Sequence, residues 1–522
     1  MNRKRSFHVP WIVLLSFLVP SVSLAQDGTT QEGAAGGRRS RLTLHGTYTT
    51  DSYLQKNFYF GAGGDTTNGI AGDFDAYWTQ SLRLYPRLIL ADNLNVTLSV
   101  TVAQGIWGLD NAPRSADGTG YSGLYDNKGT FAQLHFDWAY LAYYNAWSST
   151  RWYIGRQAFG LGHLLVLDED AMGIQIYRDF PEWGASLGFG FAKESEGTDG
   201  LTDTRGALRT GGAPAPDGRD ADLFFLEWDR PGASLSFNPF FVYYLDRSNA
   251  DGATYLPDGL GYRNARFRPQ ITRATVYGVS LSATRGALAL EFEYDRLRGV
   301  DRIHNQDSGP MQLHDVNNGD LLGSNLYGKV TLGDDSFQVG GIFAQGSGDP
   351  DPRSGEGNIN RIRTSGTFYI TEVWEDSIMP DERGLNPDGL GSPLSRGYRE
   401  LENTRIMQGF LAFRPRYNLR VFASGSLIRS SAELRSWSDA NGDGVISPSE
   451  FGTNLTRDLG KEMDWRIDWE IEEKMTLTFR GGIFFPHDAA GYLINGNLRY
   501  LDAAQEMRLS LTVPIPEFSL GG

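Results

Sequence analysis

Glu462-Met463-Asp464-Trp465-Arg466-Ile467-Asp468-Trp469-Glu470-Ile471 alternates a charged with a large apolar side chain at every step. A period of two puts successive side chains on opposite faces of a β-strand. One face here is wholly apolar and the other wholly charged. The pattern recurs along the chain. Leu94, Val96, Leu98, Val100 and Val102 alternate with Asn95, Thr97, Ser99 and Thr101. Leu134, Phe136, Trp138 and Tyr140 alternate with small or polar partners, as do Leu288, Leu290, Phe292 and Tyr294 and, near the end, Met507, Leu509, Leu511 and Val513.

A soluble sandwich alternates too, and the connections separate the two cases. Short turns fall at 91–93, 147–150, 180–183, 229–232, 284–286, 333–335, 416–418 and 472–474. Between them lie longer polar stretches near 51–73, 107–130, 158–170, 195–220, 248–268, 299–320, 349–400, 434–458 and 487–499. Strict alternation of short and long is the hairpin rhythm of a membrane barrel. The reading is therefore all-β: a transmembrane antiparallel β-barrel of about 18 strands with long extracellular loops. The longest connection, 349–400, either folds inward as a constriction or lies over the mouth.

Composition agrees. Cysteine is absent, so the fold needs no disulfide staples. Glycine is abundant, at 64 residues, with 29 Phe, 24 Tyr and 12 Trp, yet no segment approaches the apolar length of a transmembrane helix. Met1 to Ala25 reads as a signal peptide: Arg3, Lys4 and Arg5, an apolar run from Val9 to Val19, then Ser23-Leu24-Ala25. Its removal takes three positive charges from a chain of net charge -15 and argues against nucleic acid as a partner. Residues 26–40 form a flexible periplasmic leader and 41–522 the barrel. The location implied is the outer membrane of a Gram-negative bacterium, with its lipid as one partner.

If the apolar members of each strand face lipid, the others line the lumen. Arg83, Arg87, Glu291, Glu293, Asp464, Arg466, Asp468 and Arg480 are thereby assigned to the pore, on a wall of mixed sign. Such a wall suits a porin or exporter passing hydrophilic solutes, including oligo- or polysaccharide. The competing reading is an adhesive or structural surface barrel that displays its loops. An enzyme is disfavoured: Gly184-Ala185-Ser186-Leu187-Gly188 spells a nucleophile string but sits inside an alternating strand.

One connection carries a calcium pattern. Asp439, Asn441, Asp443, Val445, Ser447 and Glu450 occupy the ligand positions of an EF-hand-type loop over 439–450, with Gly444 at its sharp turn. It reads as one structural Ca2+ site ordering an outer loop.

The stretch Tyr153-Ile154-Gly155-Arg156-Gln157-Ala158-Phe159-Gly160, followed by Met172-Gly173-Ile174-Gln175-Ile176, resembles the alginate-export family of outer-membrane barrels. The resemblance implies an 18-stranded barrel and makes Arg156 the match to that family's pore arginines. Parity places Arg156 with Trp152 and Ile154, so a bulge at Gly155 is required to bring it into the pore. Met172 stands where the family has an acid. The acidic rows on the inferred wall would repel a polyuronate, so the resemblance implies a channel and not alginate as its cargo.

Overall fold

A computed structural model describes residues 40–58, 60–61, 74–106, 134–195, 220–232, 234–246, 269–303, 318–348, 356–364, 368–375, 401, 403–438, 440, 451–472 and 474–520. The signal peptide expected at 1–25 and the leader expected at 26–40, save Ser40, lie outside these residues. So do Asp439, Asn441, Asp443, Val445, Ser447 and Glu450 of the calcium pattern.

The strands follow one another in the order β1 (Arg41–Lys56), β2 (Phe74–Ala91), β3 (Leu94–Ile106), β4 (Leu134–Asn145), β5 (Thr150–Gly160), β6 (Leu167–Phe180), β7 (Ala185–Ser195), β8 (Ala221–Asp229), β9 (Leu235–Asp246), β10 (Pro269–Arg285), β11 (Leu288–Ile303), β12 (Asn318–Gly333) and β13 (Phe337–Gly346). Two short strands, β14 (Glu356–Asn358) and β15 (Arg363–Thr364), interrupt the series. It resumes with β16 (Thr404–Arg416), β17 (Leu419–Trp437), β18 (Phe451–Glu472), β19 (Met475–Pro486), the helix α1 (Asp488–Asn495) and β20 (Ala504–Leu520).

Each wall strand pairs antiparallel with its neighbour in sequence, β13 passes directly to β16, and β1 pairs with both β2 and β20. The sheet of 20 strands, less β14 and β15, is thus a closed antiparallel barrel of 18, a transmembrane fold with no free edge. The closing seam runs from Leu42↔Leu520 to Lys56↔Gln505. It shifts register between Leu44 and Gly46, where Pro516 on β20 has no N–H to give the ladder.

The alternation resolves as lipid outside and polar inside. Trp78, Leu88, Leu90, Leu290, Phe292, Val330, Val339, Leu411, Met463 and Leu509 are exposed on the outer surface. Gln55, Thr79, Ser99, Gln175, Glu293, Asn325, Gln408, Glu462 and Ser510 are buried on the inner one. The principal hydrophobic core lies inside the barrel. Leu161, Leu165, Val166, Ile359, Ile362, Ile370, Val373, Trp374 and Leu401, all from connections, pack against inward apolar residues of the wall such as Leu223, Phe225, Val242, Val276, Leu297, Ile406 and Phe484.

Candidate functional site: a lumen narrowed by two inward connections

The long connection after β13 folds inward. Residues 356–364 leave β12 and reach β6. β14 lies parallel to β12 (Asp320↔Glu356 to Leu322↔Asn358), and β15 lies parallel to the start of β6 (Arg363↔Leu167). β6 and β12 are six strands apart in the wall, so this piece crosses the lumen. An asparagine network fixes the β12 end. Asn325 Nδ2 donates to the Asn360 carbonyl at 2.6 Å, and Asn360 Nδ2 donates to Asn325 Oδ1 at 3.1 Å.

The next described piece, 368–375, is held by β16, β18 and β19. Glu462 on β18 accepts the backbone N–H of Val373 at 2.6 Å on one oxygen and that of Trp374 at 3.0 Å on the other. Gln408 on β16 donates to the Ile370 carbonyl at 2.9 Å. Arg480 on β19 donates to Tyr369 Oη at 2.8 Å and lies 3.3 Å from Glu372. Trp374 packs on Phe484 with ring centroids 4.9 Å apart. Within the piece, Glu375 accepts the N–H groups of Ile370 and Thr371 at 2.9 and 3.2 Å. Its burial pushes the carboxyl up to about 8.

A second connection, 161–166 between β5 and β6, also turns inward. The hairpin rhythm predicts a long outer loop over 158–170 here; instead β5 continues to Gly160 and β6 begins at Leu167. Glu293 on β11 receives both the backbone N–H of His163 and its Nδ1, the latter at 2.9 Å. Gly162 has φ +57, and a Cβ there would strike the Glu293 carboxylate, so the turn needs a glycine. Burial holds the His163 imidazole below its ordinary range.

The residues assigned to the pore therefore divide into three groups. Arg83 and Arg87 face inward and are exposed there. They pair across the strands with Thr47 and Thr43, and Arg83 Nε lies 3.3 Å from Asp137. Glu291, Arg466 and Asp468 also face inward, each in an ion pair. Lys329 lies 3.0 Å from Glu291 and Arg466 2.8 Å from Asp468. Glu293, Asp464 and Arg480 point inward but are covered: Glu293 is 0% exposed, Asp464 4% and Arg480 8%. Their expected contact with pore water is corrected, because the inward connections sit on them.

Arg156 needs a different correction. The β5–β6 register is unbroken from Thr150↔Arg178 to Gly160↔Asp168, so no bulge at Gly155 turns the strand over. Arg156 pairs with Met172 and shares the outer face with Ile154, while Gln157 and Phe159 are the buried inward neighbours.

On the short-turn side of the two connections the inner wall is polar and aromatic. Arg151 Nη2 holds Asp179 at 2.8 Å and its guanidinium stacks 5.0 Å above Tyr177. Tyr153 lies edge-on to both Tyr140 and Tyr177. Ser186 is a buried residue within β7, pairing across to Asp179 and Asp229, which is not a strand-turn-helix elbow. Among the described residues, no three His, Asp or Glu side chains are grouped so as to hold a metal ion.

No protein-family model matches this chain, and no curated protein matches it. Solved structures do resemble it. Pseudomonas aeruginosa OccK8 (OprE) superimposes with a TM-score of 0.48 at 12% identity, over 92% of this chain and 98% of that one. A BenF-like porin from Pseudomonas fluorescens Pf-5 gives 0.46 at 12%, over 92% and 99%. Pseudomonas aeruginosa OccK2 (OpdF), in complex with glucuronate, gives 0.46 at 13%, over 91% and 98%.

Proposed function

We propose that this protein is an outer-membrane channel for small hydrophilic solutes, with its constriction formed by 356–364, 368–375 and 161–166. One observation carries the reading: a closed 18-stranded barrel, apolar outside, has its polar interior crossed by a connection tied to wall strands six places apart. A purely structural barrel has no use for a crossing segment anchored on buried carboxylates. A channel needs one, because a barrel of this size otherwise leaves a wide aqueous lumen. Planar-bilayer recording of the purified barrel tests the proposal. Discrete conductance steps are expected, and a barrel that inserts without conducting would refute it.

A polysaccharide cargo is the weaker choice because the crossing segment narrows the path. The repulsion expected from the acidic rows loses force, since Glu293, Glu462 and Asp464 are covered by the connections.

The calcium pattern at 439–450 remains part of the proposal, carried by its ligand spacing. In sequence it lies between β17 and β18, whose residues Trp437 and Phe451 pair at the end of the barrel away from the short turns. There a weak site, with a dissociation constant on the order of 10⁻⁴–10⁻³ M, would fill outside the cell. Calcium is expected to protect this connection from protease, and Asp439→Ala with Glu450→Ala to abolish the protection.

A further inference from the structure

The outer face of β13, β16, β17 and β18 is ordered in rows by its register. In the row farthest from the short turns, Gln345 pairs with Arg405 and Arg405 with Arg429. One step nearer the short turns stand Phe343, Met407, Leu427 and Lys461. Next comes Gly341, Gly409, Gly425 and Met463, and below it Val339, Leu411, Ala423 and Trp465. The glycine row is a notch in an otherwise bulky apolar face: a Cβ on Gly409 or Gly425 would meet nothing within 4 Å.

Three cations stand above the notch, Arg405, Arg429 and Lys461. Arg405 Nε donates only to Gln345 Oε1, at 3.0 Å. Among the described residues no carboxylate lies within ion-pair distance of Arg405, Arg429 or Lys461. Asp458 stands opposite Arg429 in the register, and its Oδ2 lies 3.1 Å from His487 Nδ1. Nearby Arg457 has Glu433 at 3.8 Å. Elsewhere at this level, Lys193 is matched by Asp220 at 2.5 Å and Asp222 at 3.2 Å. Two arginines directly opposite on neighbouring strands repel each other. At the edge of the hydrocarbon that repulsion is less screened than in water. An anion bridging them would remove it.

We propose that this face seats a phosphorylated glycolipid of the outer leaflet. Its phosphates lie on Arg405, Arg429 and Lys461, and an acyl chain runs down past Met407 and Leu427 into the Gly409–Gly425 notch. Charge complementarity selects the headgroup, and the continuity of cation row, apolar row and notch selects a lipid over a soluble phosphate. The inference rests on the outer-membrane reading above.

The test uses purified full-length barrel in non-ionic detergent, a bis-phosphorylated, multiply acylated glycolipid as probe, and intact-complex mass spectrometry. Wild type is expected to retain the probe. The Arg405→Gln/Arg429→Gln double variant is expected to weaken retention on the order of tenfold. Gly409→Leu, which fills the notch on a lipid-facing position, is expected to weaken retention of the probe and leave binding of its acyl-free bis-phosphorylated headgroup unchanged. Equal retention by wild type and the double variant overturns the proposal. So does an acyl-free headgroup that binds as tightly as the lipid. Conductance of the same preparations separates the two readings: a conducting barrel without retention sinks only the lipid site, and a silent barrel with retention sinks only the channel.

Discussion

Glu462 shows how a residue read as pore wall becomes a structural anchor. Alternation placed its side chain inward, correctly, yet both carboxylate oxygens are taken by backbone N–H groups of the connection across from it. A buried hydrogen bond is worth roughly 0.5–1.5 kcal/mol net. Glu462→Ala is therefore expected to loosen 368–375 while the wall stays paired. Single-channel recording should show larger or unstable conductance with an unchanged unfolding transition of the barrel. Glu375 adds a pH term. Its burial outweighs the N–H donors of Ile370 and Thr371, Asp464 pushes the same way, and the carboxyl titrates at about 8 instead of the ordinary 4.5. A carboxyl raised on folding is held as the acid. Its contribution to the seated segment is complete below about pH 4.5 and is lost as pH rises through about 8. Channel noise should thus increase from below to above pH 8 in wild type, and Glu375→Gln should be flat across that range.

The wall strands were legible one by one, and the two short strands inside the lumen were not. Period two survives wherever one face meets lipid, which is why 462–471 could be read directly. β14 and β15 have three and two residues and depend on parallel pairing with wall strands that already have antiparallel partners. No local pattern encodes that. A weaker signal was available in Leu223-Phe224-Phe225-Leu226 and Phe240-Phe241-Val242-Tyr243-Tyr244-Leu245, which are apolar on both faces. Such runs mark strands covered on both sides, and here Leu223, Phe225, Val242 and Tyr244 meet the packed connections. The helix α1 was also missed within the 487–499 loop. It is fixed by buried Ala489 and Ala490 and by Trp437 Nε1 donating to the Tyr492 carbonyl at 2.5 Å. Because the 18-strand pairing closes without β14 and β15, deleting 356–375 should leave a folded barrel. Heat-modifiable gel mobility should be retained, and conductance should rise several-fold as the constriction is lost.

At the scale of the whole molecule, net charge misleads about the path. The chain is acidic at -15, and its inner wall reads as mixed. Folding then covers more acids than bases: Glu293, Glu462, Asp464 and Glu375 are buried with the inward connections, against Arg480 alone of the residues assigned to the pore. Arg83 and Arg87 stay exposed on the inner face, on β2, where neither connection covers them. The field along the open part of the path is therefore less negative than the composition implies, because exposed charges steer ions more than covered, hydrogen-bonded ones. Arg83→Gln with Arg87→Gln should shift the reversal potential in a salt gradient toward cation preference, and the shift should shrink at high ionic strength as screening shortens. Glu293→Gln, although it replaces an acid on the same wall, should move the reversal potential little, since that side chain binds His163 and not the permeating ion. If Glu293→Gln shifts selectivity as strongly as the arginine pair, the inward connections do not seal the carboxylates from the path, and the division between anchoring and exposed charge fails.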